Sequence, residues 1–238
     1  MTDINIKELE KFLQAHPQMS LAPSNKEAFI VQGVLSFDIQ DDSYGNIKDE
    51  FQLKVVIPKS FPRDIPIVYE LDERFPKIAD YHVYADSSLC LGSPMSLKKR
   101  IKDNPTLEDF IQTCVVPYFF AIALKLQGKD NFVFGELYHG TLGIIQDYLE
   151  VFDLNNVQQV IDLLEILSLK SNKGNKNICP CGCNRIVTKC PLHKKIVEYR
   201  NVMSRKEYAE EREIITKYYN EWKEYQSKNA TKKLIPSV

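Results

Sequence analysis

The 238-residue sequence predicts an α+β fold, in which an antiparallel meander sheet is flanked by helices and followed by a small cysteine-rich segment and a terminal helix. Three observations lead to this prediction. Two segments alternate apolar and polar residues and are joined by turn residues, which is typical of antiparallel strands. Amphipathic helical patterns precede and follow these segments. Four cysteines then crowd into residues 179–190.

The N-terminal residues supply the first helix and the sheet. A helical pattern over residues 4–15 ends before Pro17, because proline cannot continue a helix. Strands are predicted over 27–39, 50–58 and 67–71, with turn residues at 41–46. The inward-facing residues of the two long strands are Phe29, Val31, Leu35, Phe37, Ile39, Phe51, Leu53, Val55 and Ile57. Short connections between consecutive strands predict the meander.

The remaining elements are predicted to be helical, after an irregular segment at 92–105. Thr106 and Asp109 have the spacing of a capping box, which opens an apolar helix that runs to about Leu126 and is kinked at Pro117. Further helices are predicted over 137–152, 155–169 and 195–227.

Composition excludes several classes of protein. The formal net charge is −1, which gives no support to nucleic acid or an anionic membrane as the main partner. No apolar run is expected to reach the ~18–20 residues of a membrane span. The charged N-terminus lacks the apolar core of a signal peptide. These features predict a cytoplasmic protein.

The cysteine cluster predicts a structural zinc site. Close cysteines on a tight turn suit tetrahedral zinc, and in a reducing cytosol such a cluster favours a metal over disulfides. The predicted ligands are Cys179, Cys181, Cys190 and His193, with Cys183 as an alternate ligand. The spacing resembles a SEC-C-type zinc knuckle, although His193 lies two residues later than in that pattern. The alternative is a redox cluster or a set of free thiols.

Cys90 poses a question of its own. A cysteine between Leu89 and Leu91 is usually a buried core residue, as is predicted for Cys114. Cys90, however, follows the turn residues Asp86-Ser87-Ser88 and lies eight positions after His82. This placement makes Cys90 a candidate nucleophile.

The order of these features resembles that of the ubiquitin-conjugating enzymes (the UBC fold). Phe61-Pro62 with Ile65-Pro66 resembles the proline-rich connection of that family. Asp80-Tyr81-His82 lies where the family carries His-Pro-Asn, and Ser88-Leu89-Cys90-Leu91 is similar to its Gly-x-Ile-Cys-Leu motif. The resemblance covers residues 4–150.

The resemblance implies a transferase that carries an acyl group as a thioester on Cys90. His82 replaces the family's oxyanion-side asparagine, so the imidazole would act as a hydrogen-bond donor or as a base. Asp80 would orient His82 or cap the turn. A base at this position would allow lysine, serine or cysteine as the acceptor.

A further stretch, Phe134–Ile144, resembles bacterial relatives found in operons for antiviral (antiphage) defence and ubiquitin-like modification. The partners then implied are a ubiquitin-like protein or the C-terminus of a cyclic-nucleotide synthase, together with an activating enzyme. The alternative is a catalytically inactive UBC-fold protein that binds or scaffolds. A third hypothesis is a zinc-dependent nucleic-acid binder, and the near-neutral charge of the chain argues against it.

The predicted organisation has four parts. Residues 1–152 form the UBC-like catalytic domain, 153–177 a helix and linker, 178–194 the zinc knuckle, and 195–238 the C-terminal helix and tail. The polar stretch 170–177 is the predicted boundary. A stripe of Ile215, Tyr218, Trp222 and Tyr225 predicts docking of the last helix on the main domain, on a second copy as a homo-oligomer, or on another partner.

Overall fold

The computed structural model describes residues 6–129 and 140–232. The chain divides into two compact units, Met1–Glu136 and Leu137–Val238. The first unit contains a four-stranded antiparallel sheet with helices, and the described part of the second is helical apart from the cysteine-rich segment. The α+β class and the antiparallel meander are therefore confirmed.

The first unit carries its elements in the predicted order, with two additions. They are α1 (Ile6–Ala15), β1 (Met19–Ala22), β2 (Ala28–Asp41), β3 (Gly45–Pro58), β4 (Ile67–Glu70), a 3-10 turn (Ala79–Tyr81), α2 (Pro94–Asp103), α3 (Leu107–Phe110), a π turn (Ile111–Val115) and α4 (Val116–Leu126). The sheet order is β1-β2-β3-β4, and each neighbouring pair is antiparallel. Strand β1 and helix α2 are the additions.

The long hairpin of β2 and β3 builds the core surface of the sheet. Asp41 Oδ1 accepts hydrogen bonds from the amides of Ser43 and Tyr44, which closes the predicted turn. Alternate residues of both strands are buried as predicted, and the ring of Phe51 lies 4.4 Å from that of Phe119 on α4. The core of this unit therefore lies between the sheet and α4.

Strand β1 escaped prediction because it is short and its position depends on a distant glycine. Met19 pairs with Gly33 of β2. A Cβ at Gly33 would lie 2.1 Å from the carbonyl oxygen of Gln18, so only glycine lets the two backbones approach this closely.

The prediction that residues 92–105 are irregular is wrong, because helix α2 occupies 94–103. Ser93 caps it by accepting from the amide of Ser96 (3.1 Å), and Pro94 lies in the first turn, where a proline is tolerated. Three apolar residues face the core, but basic residues between them conceal the helical pattern. The buried residues are Met95, Leu97 and Ile101.

The predicted cap of the core helix is found, and the helix is irregular next to the predicted kink at Pro117. Thr106 Oγ1 accepts from the amide of Asp109 at 3.1 Å. Pro117 has no N–H to offer the carbonyl of Thr113, and Arg100 Nη1 donates to that oxygen instead, at 2.7 Å. A π turn at Ile111–Val115 comes directly before the proline, and the helix continues beyond Pro117 to Leu126.

The helical run Leu107–Leu126 is longer and more apolar than the sequence analysis allowed. It has 20 residues, and its most apolar 18-residue stretch has a mean hydropathy of 1.4, enough to cross a membrane by length and composition. Of its most apolar stretch, 72% is buried within the fold. Such burial is consistent with the core helix of a soluble protein.

The second unit joins segments that the sequence analysis separated. Its elements are α5 (Thr141–Phe152), α6 (Val157–Ser168), α7 (Ser171–Gly174), a 3-10 turn (Val187–Lys189), α8 (Leu192–Tyr199) and α9 (Arg205–Lys232). Helix α5 packs on α6 and α9, and Tyr148 Oη donates to Glu211 at 2.5 Å. The division therefore falls after Glu136, not after residue 152. The predicted linker 170–177 contains α7 and belongs to this unit.

The predicted C-terminal helix is two helices. Ser204 and Glu207 form a reciprocal capping box that starts α9, with bonds of 2.7 and 3.2 Å. Of the predicted stripe, Ile215 is buried, whereas Trp222 and Tyr225 are 48% and 65% exposed. Docking of this helix on a second copy stays a prediction.

Candidate functional site

The loop of residues 82–90, here called the thiol loop, is a small hairpin fixed to the sheet. Val83 bridges Leu89, and the Leu89 amide donates to the carbonyl of Val68 on β4 at 2.8 Å. Leu89 is 5% exposed, whereas Cys90 is half-buried and Asp86 is exposed. Leu89 thus anchors the loop in the core, and the thiol after it keeps access to solvent.

The turn of the thiol loop has the predicted chemistry. Asp86 Oδ1 accepts from the amide and the hydroxyl of Ser88, at 3.0 and 2.6 Å. These bonds lower the pKa of the Asp86 carboxyl, because they stabilise its charged form. Ser87 takes a left-handed conformation with φ of 67°. Asp86 and Ser87 therefore form a turn at the surface, whereas Ser88 is buried beneath it.

The backbone of His82 lies beside that of Cys90. The Cys90 amide donates to the His82 carbonyl at 2.8 Å, and His82 itself is left-handed, with φ of 53°. Asp80 is exposed, and its backbone carbonyl accepts from Lys125 Nζ at 2.6 Å. The bond from Lys125 to the Asp80 carbonyl thus holds the turn. That the Asp80 side chain orients His82 stays a prediction.

Helix α4 fixes the turn that precedes His82. Tyr118 Oη donates to the carbonyl of Tyr81 at 2.7 Å. Lys125 Nζ, besides its bond to Asp80, lies 4.6 Å from the centre of the Tyr81 ring. The thiol loop is therefore held from β4 on one side and from α4 on the other, which suits a site that must keep its geometry.

Tyr84 is a site residue that the sequence analysis missed. Its hydroxyl donates to Cys90 Sγ at 3.0 Å. Burial and this hydrogen bond raise the pKa of the Tyr84 hydroxyl well above its usual value, so it stays a donor at neutral pH. Strand alternation in the sequence could have identified Tyr84. Val83 and Leu89 are buried in the core, so Tyr84 and Cys90, the next residue after each, lie on the opposite face.

Removing this donor should slow the reaction of Cys90 with electrophiles. The Tyr84 hydroxyl stabilises negative charge on the sulfur, and part of that gain is lost again as lower nucleophilicity of the anion. Tyr84→Phe should therefore reduce the rate of Cys90 alkylation by iodoacetamide at neutral pH about threefold. Peptide mapping over time measures this rate at Cys90. Tyr69→Phe, on β4, is the matched control and should react like the wild type. Equal rates in both variants would remove Tyr84 from the site.

The cysteine-rich segment is a second, separate site. Residues 177–187 form a narrow hairpin, in which Ile178 bridges Ile186 and the Cys179 amide donates to the Arg185 carbonyl at 2.7 Å. Gly182 turns the chain with φ of 81°. Cys190 follows a 3-10 turn that brings it back to the hairpin.

Four sulfur atoms meet in this segment. The Sγ atoms of Cys179, Cys181, Cys183 and Cys190 all lie within 4.8 Å of one another. Cys181 Sγ is 3.3 Å from that of Cys179 and 3.6 Å from that of Cys190. A disulfide needs about 2.05 Å. Four thiolates around zinc at about 2.3 Å would be separated by about 3.8 Å, so this arrangement could hold a metal ion.

Backbone amides point at three of these sulfurs in succession. The amides of Cys181, Cys183 and Arg185 each donate to the cysteine two residues before them. The Arg185 amide is the main reason that the pKa of Cys183 falls to about 6. For Cys179, burial is the larger effect and raises the pKa. Such donors stabilise thiolates, which are the form that binds metal.

The structure groups Cys183 with the other three cysteines, whereas the predicted set has His193 as the fourth ligand and Cys183 only as the alternate. His193 lies in the first turn of α8, and its amide donates to the Cys190 carbonyl at 3.0 Å. Its Nε2 atom is buried and has no hydrogen-bond partner in the described structure. The hairpin explains the grouping, because its tight turn brings Cys183 back to Cys181.

Residues 130–139 lie outside the described residues, and with them His139 and most of the stretch that resembles bacterial relatives. Comparisons of the chain with protein-family models, with curated proteins and with solved structures found no match.

Proposed function

We propose that this protein is a ubiquitin-conjugating-like acyl carrier, which holds the C-terminus of a ubiquitin-like protein or another partner as a thioester on Cys90. The observation that carries the proposal is the half-buried thiol in a loop that is hydrogen-bonded to the sheet, with a tyrosine hydroxyl 3.0 Å from its sulfur. The order of elements supports it: a helix, a four-stranded meander, the thiol loop and a core helix follow one another as the resemblance implies.

Loading proceeds by exchange of thioesters. The Cys90 sulfur attacks the partner's C-terminal carbonyl carbon, which an activating enzyme presents as its own thioester. The C–S bond to the activating enzyme breaks, and that enzyme's thiolate leaves with the electron pair. The Tyr84 hydroxyl donates a hydrogen bond to the Cys90 sulfur that starts this step.

In the transfer step the Cys90 sulfur, which was the nucleophile in loading, becomes the leaving group. An acceptor nucleophile such as a lysine amine attacks the thioester carbonyl, an oxyanion develops, and the Cys90 thiolate leaves as the amide forms. Tyr84 then stabilises the departing sulfur. His82, whose backbone is bonded to that of Cys90, supplies either a donor to the oxyanion or a base to the acceptor.

His82→Ala should impair transfer more than loading. Loss of a donor or base in the transfer step should lower the single-turnover discharge rate by about 10²–10³, while the thioester still forms. His82→Asn separates the two roles, because an amide can donate but cannot act as a base. An unchanged discharge rate in His82→Ala would exclude this residue from the mechanism.

The four-cysteine cluster is proposed to bind a single structural zinc ion. Within residues 177–193, Pro180 and Val187 are the buried side chains other than cysteine, so the segment has little core of its own. Ile178 and Ile186 remain 59% and 41% exposed. A closed four-ligand site would stabilise such a segment, as it does in other small metal-binding modules.

The biological setting follows from the resemblance and is proposed on that basis. It is a bacterial antiphage defence or ubiquitin-like modification operon in the cytoplasm. The test is reconstitution with the activating enzyme and the modifier encoded beside the gene. A slower band on a non-reducing gel that dithiothreitol removes supports the carrier. A tight complex without any such band supports the alternative, an inactive binding or scaffold protein.

A further inference from the structure

A groove of about 790 Å³ in the second unit is lined by basic and polar side chains. It lies where the end of α6 and helix α7 meet the start of α9. Its basic residues are Lys170, Arg200, Arg205 and Lys206, and Ser171 and Ser204 add hydroxyl groups. None of its lining residues, all of them described, is acidic. We will call this the basic groove.

Arg200 is fixed in the wall of the basic groove. Its Nη1 atom donates to the carbonyls of Ile166 and Leu169 at 3.1 and 3.0 Å, and Nη2 donates to Asn175 Oδ1 at 3.0 Å. Gly174 makes room for it, because a Cβ there would lie 3.3 Å from Nη2 and 2.6 Å from the Ile166 carbonyl. The guanidinium is therefore built into the fold.

The charge of Arg200 is not balanced by a carboxylate. All its described partners are neutral oxygens, and its Nε atom is buried without a hydrogen-bond partner. Burial lowers the pKa of this guanidinium, as expected for a charge whose hydrogen-bond partners are neutral. An anion at the groove would supply that missing interaction.

The other cations of the groove are also available to a ligand. In the described part of the chain, Lys170 and Arg205 form no ion pair, and both are exposed. Lys206 lies 3.5 Å from Glu210, but both side chains are exposed, and such a pair contributes little. The Glu207 carboxylate is engaged by the amide of Ser204. The groove therefore keeps a net positive charge.

We propose that the basic groove binds a small phosphate-bearing molecule. Arginine, lysine, serine hydroxyls and asparagine amides are the groups that proteins use to hold phosphate oxygens. The groove volume is within the about 300–1,000 Å³ usual for small-ligand sites. The start of the 28-residue helix α9 adds the positive end of its dipole. This site is independent of the chemistry proposed for Cys90.

Calorimetric titration of the full, zinc-loaded chain with pyrophosphate at constant ionic strength tests the proposal. The wild type should bind saturably, and Lys170→Gln and Arg205→Gln should each weaken binding about tenfold, because each removes a charged donor. Lys217→Gln is the matched control: this lysine is exposed on α9 but does not line the groove, and its loss should change nothing.

Three outcomes would overturn the proposal. They are an absence of saturable binding up to about 10 mM, equal weakening by Lys217→Gln, and acetate binding as tightly as pyrophosphate, which would indicate a carboxylate site instead. Arg200 is left unchanged in this test, because its three hydrogen bonds also hold the fold together.

Discussion

Cys90→Ala is expected to abolish formation of the thiol-labile adduct with the partner, while the protein stays folded. The reason is that Cys90 supplies the sulfur of the thioester and alanine has no nucleophile. The fold should tolerate the change, because the thiol is half-exposed and the loop is anchored by Leu89. Cys90→Ser should trap an oxyester, which resists thiols and persists longer. Loading assays on gels with and without reducing agent measure all of these outcomes.

The control for this prediction is the other cysteine of the first unit. Cys114 is 3% exposed in the core helix run and should carry no acyl group. Cys114→Ala should therefore keep the adduct, at the cost of some stability for the small cavity it leaves. An adduct that survives in Cys90→Ala would show that the acyl group is carried elsewhere.

Cys181→Ser is expected to remove the metal and to loosen the cysteine-rich segment. Wild-type protein should contain about one zinc per chain, as one closed four-ligand site requires. Structural zinc contributes about 10–16 kcal/mol of apparent binding energy in small zinc modules, so loss of a ligand should expose the segment to protease. The sheet of the first unit should stay resistant. Metal analysis and limited proteolysis give the two readouts.

The fourth ligand is decided by a matched pair of variants. We expect Cys183→Ser to lose zinc and His193→Ala to keep it, because the structure groups Cys183 with the other three sulfurs. The reverse result would restore the ligand set predicted from sequence. Wild-type protein that is free of metal and still protected from protease at the segment would contradict the zinc proposal itself.

The sheet was predictable from sequence because burial on one face imposes an alternation that can be read directly. Two helix predictions were wrong, at α2 and at the division between α8 and α9, and both errors have local causes. Lysines and arginines between the buried residues of α2 conceal its pattern. In the last helix, the capping box of Ser204 and Glu207 lies within a stretch rich in charged residues, which hides the break between α8 and α9. The domain boundary could not be predicted, because it depends on packing such as that of Tyr148 on Glu211.

The two sites show the same limit. The surface turn before Cys90 was predictable because Asp86 and Ser88 have strong turn preferences, and the cysteine cluster was predictable from spacing. Tyr84 was missed because its contact with Cys90 depends on residues 82–90 forming a hairpin, and Lys125 because its bond to the Asp80 carbonyl joins residues 45 positions apart. Sequence spacing also favoured His193 over Cys183 as the fourth ligand, because spacing does not show that the hairpin turn brings Cys183 back to Cys181.

The most direct test of the central claim is the intact mass of the protein after incubation with its activating enzyme, ATP and modifier, followed by peptide mapping at low pH. The account predicts a mass increase equal to the modifier less one water, lost on treatment with a thiol and mapped to the peptide that contains Cys90. An adduct that resists thiols, maps to a lysine, or never forms on wild-type protein with an active activating enzyme would contradict it.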